Sequence, residues 1–557
     1  MTSLVPKLAS SRIAPTRPSF SSSVTPLRPS FTSSVAPGRP IRDAIISKSA
    51  IALLPQAEHT QLHRYSIHLR LQLQWRPAAK LQLLMFRNTI GCVIAAVLAN
   101  GCFYSGNIFS LKLSKNQSQQ EFLMATLVWT AIVHAIKMTA AYLPSMMTQR
   151  FRRRPDYKPS LYFCLKKIVK GTYPYFVVSL SGMVGTGLLI QHTSLMKHLL
   201  RYKLHFYIGI LFNMISTSGI AIVSRDIQCG KTNQLQGRRN ALREISGSTM
   251  ELSAISPAQK RHRSSKYRTG FWREYIAHFP IAILMSIGGA FVHVVSWYGV
   301  LNQGKFVILS FTMFGITMKL AIQEAARNYI VKKKIRGVRT MCLLVGLPTV
   351  LIDTQSRIVL LGTQTDSFLV AGTCAMAVAE LCLRAGKATY VARSIRRRAT
   401  DVEAEILELS ASSKQSERRS VSSLKLEFDL WKRQSISYHT AELTADMYAE
   451  YIAIGCSQSI IFWWSGHPFY PALQLGTGGV MSPGDVAKWG LNQVAMLGFQ
   501  FVVEIFVDYV CVVVEMASGI DFTRIESRST FLGVVFMMMA VLNINISSLV
   551  YLSFHSQ

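Results

Sequence analysis

Five polar residues set in one apolar stretch, Gln493, Gln500, Glu504, Asp508 and Glu515, have the types and spacing that point most directly to chemistry. They fall between Trp489 and Met516, a run long and apolar enough to cross a bilayer. On a helix turning 100° per residue they lie within about 80° of one another. An ionised acid at mid-bilayer costs about 2.5 to 3.5 kcal/mol, so three acids on one face must look toward protein, water or a basic partner. Glu504 and Asp508 are one turn apart near the middle of the run. Two carboxylates so close, with no cation between them, share a proton, which is how a site for coupling protons or cations behaves.

The other charges in apolar runs are Asp353, Glu380, Lys137, Lys319 and Arg357. Asp353 and Arg357 are four residues apart, the spacing of a pair on one helix face. Lys137 or Arg357 is then the counter-charge for Glu504 and Asp508 when no coupling ion is bound. Glu380, Lys319 and Glu515 suit structural pairing or snorkelling near an interface. His134 and His293 also lie in apolar runs, where a lone histidine reads as a satisfied core residue.

Catalytic signatures are incomplete, which argues against an enzyme. Gly230, Lys231 and Thr232 resemble the end of a phosphate loop, but Arg225 stands where its first glycine belongs. Ser181 before Gly182 and Ser218 before Gly219 lack the leading glycine of a serine nucleophile turn. No Cys/His spacing for a metal and no glycine-rich cofactor loop occurs, so neither metal nor cofactor is expected. Most of the nine cysteines, among them Cys92, Cys342, Cys374, Cys382, Cys456 and Cys511, sit in apolar runs as small core residues.

The elements that position these residues follow from composition. Of 557 residues, 50% are hydrophobic and only 16% charged, too apolar for a soluble chain of this length. The apolar residues come in blocks of about 20, which predicts an all-α, polytopic membrane bundle of about eleven transmembrane helices. The spans are Thr89–Phe109, Phe122–Met146, Tyr173–Ile190, Leu204–Val223, Ile276–Val300, Phe306–Ala325, Met341–Gly362, Phe368–Leu383, Met447–Tyr470, Trp489–Met516 and Phe531–Phe554. The seventh carries Pro348; were it re-entrant, ten spans would remain. Rows of small residues, Ala371, Ala375 and Ala379 and also Ser181 with Gly185, fit close helix contacts.

Residues 1–60 read as a disordered, basic, Ser/Pro-rich tail, and 61–86 as a basic segment on the bilayer surface. Spans one to four occupy 87–224, a basic loop 225–275, spans five to eight 276–386, a helical and Ser-rich loop 387–446, and spans nine to eleven 447–557.

The net charge of +33 comes from 61 Lys and Arg concentrated in alternate loops, including the clusters Arg150–Arg154 and Arg261–Arg263. That distribution follows the positive-inside rule with a cytoplasmic N-terminus, and it argues against nucleic acid as a partner. The partners it implies are the bilayer and anionic lipids at the cytoplasmic face. The sequon at Asn116 is then a candidate for glycosylation outside, and Ser435, after two basic residues, for phosphorylation. The aromatic stretch Trp463–Pro471 fits an interfacial belt. A plasma membrane or endomembrane suits these features better than an organelle.

The functional expectation is a transporter-like or channel-like protein for a small solute or ion, with alternating access around Glu504 and Asp508. The rival is a receptor or scaffold whose basic loops bind partners or anionic lipids, with every intramembrane charge in a structural pair.

Overall fold

The computed structural model describes residues 56–148, 160–192, 200–245, 270–298, 305–333, 335, 337–361, 366–411, 415–473, 483–517, 520, 522 and 529–553. The Ser/Pro-rich tail up to residue 55 and the clusters Arg150–Arg154 and Arg261–Arg263 lie outside them. The chain divides into two units, 1–66 and 67–557. Of the first, only a helical stretch from Gln56 is described, and the second holds every other helix.

The described residues form twelve α-helices and no strand: α1 (Gln56–Tyr104), α2 (Gln119–Thr148), α3 (Leu161–His192), α4 (Leu204–Ile245), α5 (Phe271–Ala277), α6 (Phe279–Tyr298), α7 (Lys305–Lys332), α8 (Val338–Leu361), α9 (Asp366–Ala411), α10 (Gln415–Trp464), α11 (Pro483–Ala517) and α12 (Ser529–Val550). Nine are long and apolar enough to cross a membrane: α1 from Gln74, α2, α3, α4 to Ile227, α6, α7 from Phe306, α8 from Thr340, α11 from Leu491, and α12. Such a set is compatible with a multi-pass membrane protein.

The expected eighth and ninth spans fall in α9 and α10. Both are helical there, but α9 carries Glu380, Arg384 and Lys387, and α10 carries Glu450, Ser457 and Gln458. The reason α10 tolerates them is its position. From Tyr438 to Ile461 every residue of α10 is buried, as is every residue of α8 from Val345 to Leu361 and of α12 from Met539 to Val550. These three pack on one another, α8 against α10 most extensively, with α9 and α11 against α10 and α2 against α12. A helix walled in by protein needs no lipid-compatible face, so it can hold charge that hydropathy counts against it.

The structure departs from the sequence expectations elsewhere. Residues 67–86 of the segment expected on the bilayer surface are helical and continue through Pro77 into the first apolar helix, with Ala78, Leu81 and Met85 buried. Pro348 does not break α8, which is continuous and contains a full-length apolar segment, in keeping with a seventh span rather than a re-entrant one. The loop 387–446 is largely two long helical extensions, of α9 and α10.

Trp463–Pro471 is not an exposed belt: Trp464, His467, Phe469 and Tyr470 are buried. They pack around Phe122, with the Trp464 and Tyr470 rings 4.0 Å apart. Trp464 Nε1 donates to Asn100 Oδ1 at 3.1 Å, and the Tyr470 hydroxyl to the Ser548 carbonyl at 2.8 Å. Rings and partners supplied by α1, α2 and α12 account for the burial of this aromatic segment.

Gly185 meets nothing nearby and Ala371 and Ala375 face outward, so those small-residue rows make no close contact. The close approach of α3 and α4 uses other positions, since a Cβ at Gly182 or Gly219 would overlap the Phe212 or Tyr175 ring. Cys374 and Cys382 are exposed rather than core, and none of the eight cysteines with described side chains is in a disulfide.

Candidate functional site

The polar stripe of α11 faces protein. Gln500, Glu504, Asp508 and Glu515 are buried and Gln493 is half-buried, while Leu491, Val494, Val502 and Phe506 face outward. Amphipathic spacing fixes this orientation, because the apolar side is the one that can meet lipid.

The inward carboxylates meet arginines from two other helices. Glu504 Oε2 accepts from Arg357 Nη2 of α8 at 3.0 Å. Arg384 of α9 bridges three acids, donating to Asp508 Oδ1, to Glu515 through Nε at 3.2 Å and to Glu380 at 3.3 Å. The expected cation-free pair is therefore corrected: Glu504 meets Arg357, and Asp508 meets Arg384, which it shares with Glu380 and Glu515.

Two further expectations change. Asp353 does not pair with Arg357 but accepts from Lys319 of α7 at 2.9 Å, and Lys319 also reaches Glu450 of α10 at 3.3 Å. The helix-spaced pair loses because each member has a partner on another helix. Lys137, on α2, is not part of this cluster, and its Nζ has no hydrogen-bond partner among the described residues. Of the two expected counter-charges, only Arg357 reaches Glu504.

The cluster continues along α10. Lys387 Nζ donates to Glu442 at 3.1 Å and to Gln323 Oε1 at 2.6 Å, and lies 3.7 Å from Asp446. Gln323 Nε2 in turn donates to Asp446 at 2.7 Å. The acids Asp353, Glu380, Glu442, Asp446, Glu450, Glu504, Asp508 and Glu515 thus share four Lys and Arg side chains, Lys319, Arg357, Arg384 and Lys387, with His439 3.9 Å from Glu442 as a fifth base.

The surplus of acid is concentrated at the centre. Glu380 is in side-chain contact with both Glu450 and Glu504. The oxygens Glu450 Oε2, Glu504 Oε1 and Asp508 Oδ2 are buried and accept no hydrogen bond among the described residues. Tyr451, whose hydroxyl accepts from Gln82 Nε2, lies beside Asp508. Glu380, Glu450 and Asp508 each bring one carboxylate oxygen to within 4.8 Å of the others, a spacing that one hard cation can bridge. Cys/His spacing gave no hint of this set, because its ligands are carboxylates from three helices. Adjacent carboxylates are held together either by protons shared among them or by such a cation.

Glu450 lies inside the expected ninth span and carries the same signal as Glu504, an acid in an apolar run. Arg384 stands one residue past the expected end of the eighth span, where a base reads as part of a loop. Lys387, Glu442 and Asp446 had no sequence signal, since they fall in the stretch that reads as a loop. Asn116 is exposed at the end of a short 3-10 turn, while the adjacent Gln117 is buried, accepting from the Asn107 backbone N–H at 3.0 Å. Ser435 is half-buried within α10, where a kinase would have to unwind the helix to reach it. No protein-family model, no curated protein and no solved structure matches this chain.

Proposed function

We propose that this chain is a multi-pass membrane protein, transporter-like or channel-like, that moves a small solute or ion coupled to protons or a cation held by its buried carboxylates. In this reading α9 and α10 also cross the membrane, giving eleven spans with the N-terminus cytoplasmic. The observation that carries it is the central group of Glu380, Glu450, Glu504 and Asp508, with three buried oxygens that accept no hydrogen bond among the described residues. A structural cluster is stable when acids and bases balance. Here acids exceed bases, and the surplus has to bind something that carries positive charge.

Arg357 and Arg384 then hold the carboxylates in place without saturating them, and exchange of a proton or cation at the free oxygens is the coupling step. The dense pairing of Arg384 with Glu380, Asp508 and Glu515 favours the scaffold reading for that end of the cluster. Liposomes containing the full-length protein and an entrapped pH dye, under an imposed membrane potential, separate the two. Coupling requires proton or cation movement that Glu504→Gln and Asp508→Asn abolish while both variants remain folded. Unchanged movement in folded variants, or none in the wild type with any common cation present, refutes it.

A further inference from the structure

A second buried site shares no residue with the acid cluster. Between α2, α4, α6, α8 and α12 lies a cavity of about 380 Å³, within the size range of small-molecule sites. Its walls are mainly apolar and rich in methionine, with Met138, Met214, Met285, Met538 and Met539. Methionine shapes itself to a ligand at little cost.

Into this lining project Lys137 and His134, one turn apart on α2 and both buried. Lys137 Nζ and His134 Nδ1 have no hydrogen-bond partner among the described residues, and neither does Asn213 Oδ1. The Thr217 hydroxyl lies 3.1 Å from the Asn213 carbonyl and 2.9 Å from His134 Nε2.

One rim of the cavity is polar. Arg225 forms a two-point pair with Glu274 at 2.8 and 3.0 Å, and His278 bonds the Glu274 carbonyl at 2.7 Å and the Tyr142 hydroxyl at 3.4 Å. The Arg225 side chain is 41% exposed, so this rim opens outward. Tyr142 lies five residues from Lys137 on α2, which separates their Cα atoms by about 7 to 8 Å along the helix axis.

An unpartnered amine in an apolar wall costs stability unless a ligand uses it. We propose that the cavity binds a small organic acid, its carboxylate held by Lys137 and its apolar body lying among the methionines. A carboxylic acid can enter neutral and pass its proton to the amine, so no net charge is added to the cavity. The inference does not rest on the transport reading, because it concerns binding alone.

The test is equilibrium dialysis of 2-naphthoate against the full-length protein in lipid nanodiscs, with protein-free nanodiscs as the blank. Saturable binding of one acid per chain is expected, competed neither by 2-naphthalenemethanol nor by 2-naphthylmethylamine. Lys137→Met should weaken it by about tenfold or more, the effect of losing one charge-assisted hydrogen bond. Ala282→Phe, which narrows the cavity from its α6 wall, should also weaken binding and serves as the second variant should Lys137→Met fail to fold. Binding equal to wild type in a folded Lys137→Met or Ala282→Phe, competition by the amine as strong as by the acid, or no saturable binding to the folded wild type overturns the proposal.

Discussion

Neutralising an acid of the central cluster and neutralising its base should have unequal costs. Glu504 and Arg357 are joined at 3.0 Å and both are buried. In an isolated buried pair, removing either partner strands the other and costs about 3 to 5 kcal/mol. Here Glu504→Gln leaves Arg357 within electrostatic reach of Asp353 and Glu450, and the new amide oxygen can still accept from Nη2. Its cost should be no more than about 1 kcal/mol, that of exchanging a charged hydrogen bond for a neutral one. Arg357→Gln instead adds an uncompensated acid to a group already rich in them, and the full cost of about 3 to 5 kcal/mol should appear. The assay is thermal unfolding of the purified full-length protein in detergent, followed by tryptophan fluorescence, with the Glu504→Gln/Arg357→Gln double variant closing the cycle. Equal destabilisation by the two single variants would refute the surplus of acid.

Other consequences are separable from that one. Lys137→Met should raise the unfolding midpoint in the absence of any acid ligand, because it removes a buried amine that has no partner among the described residues; a lowered midpoint contradicts this. Trp464→Ala should cost about 3 to 5 kcal/mol by opening the aromatic cluster around Phe122 and stranding Asn100 Oδ1, which thermal unfolding reads. Burial lowers the Lys203 amine to about 8, with its Nζ donating to the Leu552 carbonyl at 2.5 Å. Between pH 8 and the usual lysine value of about 10.5, the unfolded chain therefore binds more protons. Stability should rise with pH across that window by up to about 3 kcal/mol, and Lys203→Met should flatten the rise. A cysteine at the exposed Asn116 should react with an impermeant maleimide added from outside; reaction only from the cytoplasmic side would reverse the proposed orientation.

The helical class and most apolar helices are legible in the sequence because lipid-facing helices must be apolar over their full length. The orientation of the α11 stripe is legible for the same reason. What hydropathy could not show is the central position of α8 and α10, since a helix enclosed by protein is free of the lipid constraint and its polar content looks like a loop. Arg384 illustrates the limit: beside Leu383 it reads as the end of a span, whereas α9 runs on to Ala411 and buries it among three acids. The partner of Glu504 had two sequence candidates, Lys137 and Arg357. Only the packing of α8 against α10, which brings Arg357 to Glu504 of α11, selects between them, and spacing along one helix, which favours Asp353 with Arg357, points the wrong way.

Buried acids that outnumber their bases must hold protons or a cation. Infrared spectroscopy of the full-length protein in liposomes, with elemental analysis of the same sample, reads both. The expected result is either a protonated carboxylic C=O band at neutral pH that Glu504→Gln or Asp508→Asn diminishes, or a bound cation in near-stoichiometric amount that Asp508→Asn removes. A wild-type protein with neither the band nor the cation would contradict it.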